Sequence, residues 1–117
     1  SIIATIAADA IICFTASGST ARRVARERPN APLLVLTPKK EAARRLGLLW
    51  GAHAVPTKDI GSFEEMIAKG KRMALRHGIG KAGAKLVMMA GVPFGTPGST
   101  NVLHVATLTG DELRGYS

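Results

Sequence analysis

Apolar and polar positions along this 117-residue chain switch repeatedly between two periods. Continuous apolar runs at Ala10–Phe14, Pro32–Leu36, Lys85–Ala90 and Val102–Ala106 are short and bounded by polar or glycine-containing segments, so they read as strands. A further extended segment falls within Leu49–Val55. Helical spacing lies between them. Ala21, Val24, Ala25 and Arg28 mark one face of a helix running roughly from Gly18 to Arg28, which Pro29 stops. Thr37 is placed to cap a short helix with Pro38 in its first turn, closed at Leu46-Gly47. Ser62-Phe63-Glu64-Glu65 has the spacing of a capping box and opens the longest helix, about Phe63 to Arg76, which His77-Gly78 ends. Met66, Ile67, Gly70, Met73 and Ala74 give that helix a core-facing stripe. Ser1–Ile6 reads as the end of a helix, with Ala7–Asp9 connecting it to the first strand.

The order of these elements constrains the topology. Helices link the early strands, which predicts parallel pairing through right-handed crossovers. No long helix fits between the last two strands, so these are expected to be antiparallel. The predicted fold is a three-layer α/β/α sandwich, with a mixed, mostly parallel sheet of about five strands whose last strand runs antiparallel. Residues 1–117 form one domain, with no repeat, linker or low-complexity tract. The absence of an initiator methionine and the start within a helix suggest a trimmed or partial sequence.

Composition narrows the function classes. An apolar content of 46% with 13 glycines suits a packed α/β domain rather than a disordered one. No apolar stretch approaches the ~20 residues of a membrane span. Cys13 is the only cysteine, which precludes an internal disulfide; its apolar setting predicts a buried, inert thiol and is compatible with a reducing, cytoplasmic location. The formal charge is +8, and residues 22–45 alone hold eight basic and two acidic side chains. Such a segment attracts phosphorylated metabolites, nucleic acid or an acidic surface, or is simply a solvated face. It contains no aromatic residue, which disfavours a single-stranded nucleic-acid surface.

The segment Thr15-Ala16-Ser17-Gly18-Ser19-Thr20 is the strongest chemical signal. It leaves a strand and opens directly into a helix, where backbone amides and the positive end of the helix dipole favour an anion. Its four hydroxyls add donors for phosphate oxygens. The segment lacks the Lys-Ser/Thr of a P-loop and the three glycines of a dinucleotide fingerprint. The plainer reading is a helix cap at Thr15 or Ser17. A second glycine- and proline-rich stretch, Gly91–Thr100, leaves the fourth strand and would flank the same cleft if strands one and four are neighbours. His53, His77 and His104 are scattered and do not have metal-ligand spacing, and no metal site is predicted. The carboxylate pairs Glu64-Glu65 and Asp111-Glu112 read as structural, and no catalytic constellation is present.

The ordered series FTASGSTARRVARERPNAPLLVLTP, ARRLGLLWGAHAV, SFEEM and KLVMMAGVPFGTPGSTNVLHV resembles the C-terminal domain of pyruvate kinase, most closely its bacterial members. The similarity runs from about Ala10 to Val105. The resemblance implies membership in an enzyme that transfers phosphate from phosphoenolpyruvate to ADP, using magnesium and usually potassium. Those ions and the active site belong to barrel and lid domains that this sequence lacks. The chain alone is therefore expected to be inactive and cofactor-free, and to serve regulation and assembly of a homo-oligomer, a tetramer in the family.

By the same resemblance, the effector phosphate is expected on Thr15, Ser17, Gly18, Ser19 and Thr20. The late loop, with Gly95, Thr96, Gly98, Ser99 and Thr100, is expected to close over the sugar. Members activated by fructose 1,6-bisphosphate commonly place a basic residue where Ala16 and Ser19 stand here, and the helix position aligned with a second phosphate-binding arginine falls near Met66. A single phosphate, as in a sugar monophosphate or AMP, fits this pattern better. A domain serving assembly alone, or a free-standing phosphate-binding module, are the alternatives.

Overall fold

A computed structural model of the chain describes residues 8–16, 18–26, 30–48, 52–79, 81–92 and 100–111. The expected helix end at Ser1–Ile6, the stop at Pro29 and the aromatics Trp50, Phe94 and Tyr116 lie outside these residues. The described residues form five strands: β1 (Ala10–Phe14), β2 (Leu33–Thr37), β3 (Ala52–Pro56), β4 (Lys85–Val92) and β5 (Thr100–Thr107). Among the described residues three helices alternate with them: α1 (Ser19–Arg26), α2 (Lys40–Leu46) and α3 (Phe63–Arg76).

The strands form one sheet in the order β3-β2-β1-β4-β5, parallel except for the antiparallel β4–β5 pair, as the element order predicts. β1 occupies the centre, with Ile12 in register with Leu34 on one side and Met88 on the other. A clamp fixes the amino edge of the β1–β4 pair: Asp9 N donates to Lys85 O, and Lys85 N donates to the Asp9 carboxylate, each at 2.8 Å.

Period-2 alternation sorts the sheet residues onto two faces, each with its own core. Ile12, Phe14, Leu34, Leu36, Leu86 and Met88 pack with Met66, Met73 and Ala74 of α3. Ile11, Cys13, Leu33 and Val35 pack with Ala21, Val24 and Ala25 of α1 and Ala42 and Leu46 of α2. With helices on both faces, β1 and β2 are buried throughout, which is why they read as continuous apolar runs.

Local signals hold at α3 with one adjustment. Ser62 Oγ accepts from Glu65 N at 3.1 Å, but the returning Glu65 carboxylate accepts from Gly61 N (3.3 Å) rather than from the cap residue itself. At the other end Gly78 adopts φ +80°. Gly78 N donates to Leu75 O and Ile79 N to Ala74 O, closing the helix as a Schellman motif.

Three boundaries differ from expectation. Thr37 does not cap α2: it is the last residue of β2, paired with Pro56, and its carbonyl accepts from Thr57 N. Pro38 precedes the helix, Lys39 occupies the cap position, and the Thr37 hydroxyl accepts only a long bond (3.4 Å) from Lys39 N. The third strand starts at Ala52 and extends to Pro56. The expected loop Gly91–Thr100 is shorter at both ends, because Gly91 pairs with Asn101 and Val92 with Thr100 as β4 and β5 continue.

Gly70 sets how closely α3 approaches the sheet. A Cβ built there would lie 2.6 Å from Met88 Cε and 2.7 Å from its Sδ, and Met88 is fully buried. Gly70→Val is expected to cost about 1–3 kcal/mol of stability by overpacking, read by urea denaturation at constant m. Burial pushes the Cys13 thiol up to about 12. Disulfide reagents at pH 8 are therefore expected to modify Cys13 only as fast as the chain opens, and rapid labelling of the folded protein would contradict its placement.

Candidate functional site

The strand order reverses direction at the β1–β4 pair. From β1 the chain proceeds through α1 to β2 and on to β3, whereas β4 lies on the other side of β1 and continues to β5. The connections leaving the adjacent carboxyl ends of β1 and β4 therefore diverge. In open α/β sheets this divergence opens a crevice where ligands bind. The two loops singled out in the sequence leave these two strands, and Phe14 and Ala90 are register partners at the rim.

The segment following β1 is built by hydrogen bonds back to its own scaffold. Thr15 N donates to Leu36 O at 3.0 Å, continuing the β1–β2 ladder by one residue. Thr15 Oγ1 accepts from Gly18 N at 2.7 Å, a hydroxyl turn that brings the chain round into α1. Gly18 O accepts from Arg22 N at 3.0 Å, so Gly18 is the residue from which the helix bonding begins. The amides of Ser19 and Ala21 come before that first intrahelical bond.

Gly18 is required on two counts. Its φ is +87°, in the left-handed region, and a Cβ there would lie 2.7 Å from Leu46 Cδ2. The glycine thus lets the start of α1 close over the end of α2. This alters the role expected of it: its amide is committed to Thr15, so an anion nest would draw on the amides that follow. Thr20 is buried at the first turn of α1. Ser17 lies outside the described residues, and of Ser19 only the backbone is described.

Electrostatics at α1 are one-sided. Its first turn carries no carboxylate, and Arg23 and Arg26 occupy its last turn. By contrast Glu41 stands in the first turn of α2, and Glu64 and Glu65 in that of α3. Because α1 and α2 share one face of the sheet, the basic segment of the sequence becomes one basic layer, with Arg23, Arg26, Lys40, Arg44 and Arg45 exposed.

The second loop contributes less that can be described. Gly95, Thr96, Gly98 and Ser99 lie outside the described residues, and Thr100 is placed as the first residue of β5, paired with Val92. Met66 is fully buried against the sheet, so that position offers nothing to a ligand. Among the described residues no group of three or more His, Cys, Asp or Glu could hold a metal ion.

One grouping escaped the sequence. His53 of β3 and His77 at the end of α3 stand with ring centroids 4.8 Å apart. Their spacing along the chain matches no motif; the crossover from β3 through α3 brings them together.

Comparison with known proteins agrees with this architecture. The family model described as pyruvate kinase, alpha/beta domain, matches residues 1–106. The chain is 42% identical over 108 residues to a pyruvate kinase of Methylorubrum extorquens, covering 92% of this chain and 23% of that protein. It is 41% identical over 102 residues to one of Clostridium acetobutylicum, covering 87% and 22%. Its fold superimposes on Cryptosporidium parvum pyruvate kinase, solved in complex with ADP, with a TM-score of 0.76 at 27% identity, covering 88% of this chain and 21% of that one. The chain thus spans less than a quarter of the length of these relatives. Among the described residues no helix is long and apolar enough to cross a membrane.

Gly18→Ala is expected to destabilise the fold by about 1–3 kcal/mol, from the left-handed backbone and the Leu46 approach together. In a double-mutant cycle with Leu46→Ala, the combined loss should fall short of the sum of the single losses. Strict additivity would show that the two sites do not press on one another.

Proposed function

Because the chain belongs to the pyruvate kinase alpha/beta domain family, we propose that it is the regulatory and assembly domain of a longer phosphotransferase, and that its β1–β4 crevice takes the phosphate group of a small effector. The reading rests on one observation above others: the hydroxyl-rich segment of α1 leaves the sheet where the connections diverge. Transfer of phosphate from phosphoenolpyruvate to ADP is assigned to barrel and lid domains elsewhere in the same polypeptide, where magnesium and potassium would act. This domain would contribute to a homo-oligomer of the whole protein in the cytoplasm.

Within this reading, the amides of the first turn of α1 and the hydroxyls of Thr15, Ser17, Ser19 and Thr20 receive the phosphate oxygens, with the α1 dipole behind them. The loop of Gly95, Thr96, Gly98, Ser99 and Thr100 covers the remainder of the effector. Met66 faces the core at the position where a second phosphate-binding arginine is expected, so a sugar monophosphate or AMP is favoured over fructose 1,6-bisphosphate. Coupling to assembly has a physical route. Thr15 is tied to β2 through Leu36, and Gly18 leaves no room for a side chain beside Leu46 of α2, so ordering the loop would be felt by both elements.

Calorimetric titration at physiological salt with ribose 5-phosphate, glucose 6-phosphate, AMP and fructose 1,6-bisphosphate tests the site. Saturable binding of a monophosphate is expected. Ser17→Ala and Ser19→Ala should each weaken it by about 1–2 kcal/mol, roughly 5- to 30-fold, as loss of a charge-assisted hydrogen bond does. Thr15→Ala should weaken it as well, with an added effect through the loosened Gly18 turn. If none of the four compounds binds, the crevice is not an effector site and the domain serves assembly alone.

A further inference from the structure

The two imidazoles that meet between β3 and α3 have no part in the proposed effector site. His77 is the cap residue at the carboxyl end of α3, and its backbone is held there: His77 N donates to Met73 O, and the Gly78 and Ile79 amides close the Schellman motif around it. Its ring meets that of His53 edge to face, with centroids 4.8 Å apart and planes inclined at 63°. Its Nε2 is buried and has no hydrogen-bond partner. His53 itself is exposed, on a strand that forms one edge of the sheet.

A neutral ring tolerates this arrangement, since only one of its nitrogens carries a proton and the other presents a lone pair. A protonated ring must donate from both nitrogens, and the buried Nε2 has no acceptor to meet it. The remaining charges add to that cost. Among the described residues, the titratable or charged groups acting on His77 are His53 from β3 and Arg76 from α3 itself, both cationic when charged. The carboxyl end of a helix ordinarily favours a protonated histidine. Here that preference is outweighed: burial first, then His53 and Arg76, hold the His77 imidazole below its ordinary value of 6.5.

We propose that the His53–His77 contact is an acid-released latch that fastens the carboxyl end of α3 to edge strand β3, closed while the His77 ring is neutral and opened when it takes up a proton. Because the folded-state pKa lies below the unfolded one, the contact contributes its full stability above the ordinary histidine value. That stability is lost as pH falls through the lower folded value. The opening is local, confined to the last turn of α3 and the edge strand that meets it through His53.

The test combines an NMR titration of the histidine rings with amide-exchange protection of His77 and Ile79 between pH 7.5 and 5. His77 is expected to titrate below 6.5. Protection of both amides should fall with acid, by about tenfold for each unit separating the two pKa values. In His77→Phe, which keeps a ring but cannot titrate, protection should stay flat over the same range. In His53→Gln, an exposed change that keeps the measurement available if the first variant folds poorly, the His77 midpoint should rise. A His77 midpoint at or above 6.5, an equal acid loss in His77→Phe, or an unmoved midpoint in His53→Gln would overturn the latch.

Discussion

The architecture hangs on the confinement of β1. This five-residue strand has parallel neighbours on both edges and helices over both faces, and none of its residues exceeds 7% exposure. Alternate side chains feed two separate cores, so the strand cannot slip by one residue without exchanging the contents of both. Its fixed register with β2 and β4 fixes where the following segment emerges. The Asp9–Lys85 clamp secures the amino edge, and Thr15 extends the ladder at the carboxyl edge. The candidate site is the open end of a strand whose every other freedom has been removed.

That confinement explains why the turn after β1 is so fully committed to structure. Gly18 spends its amide on Thr15, its φ on the turn and its missing Cβ on Leu46. A substitution there registers first as a change in stability, which makes it a poor probe of binding. The same close approach sets the turn directly against the end of α2.

Much of this was legible from the residue order. Continuous apolar runs at Ala10–Phe14 and Pro32–Leu36 were readable because both faces of the sheet are covered, and the Ser62–Glu65 signal survived because it is purely local. The failures came where tertiary pairing overruled a local signal. Thr37-Pro38 has the form of a helix start, yet Thr37 is held extended by pairing with Pro56 and by the bond from Thr57 N to its carbonyl. Likewise Gly91 and Val92 look like loop, but a hairpin partner extends β4 through them. The His53–His77 contact left no trace in the sequence, because it depends on where the α3 crossover returns. For the site, residue type and position before a helix were legible, while the commitment of the Gly18 amide was not.

The helix termini offer a last physical argument about where an anion belongs. Each of the three described helices follows a parallel strand and presents its positive end after that strand's carboxyl edge, so geometry alone does not choose among them. Their first turns do. α3 holds Glu64 and Glu65 there, with the Ser62 hydroxyl on one amide and the Glu65 carboxylate on the neighbouring Gly61 N. α2 holds Glu41. Both ends already carry negative charge from their own chain. Only α1 has none, while its last turn carries two arginines that complement the opposite pole. An incoming phosphate would face repulsion from resident carboxylates at α2 and α3 and meets none at α1. The helix start without a resident carboxylate is also the one that follows β1, beside the β1–β4 divergence.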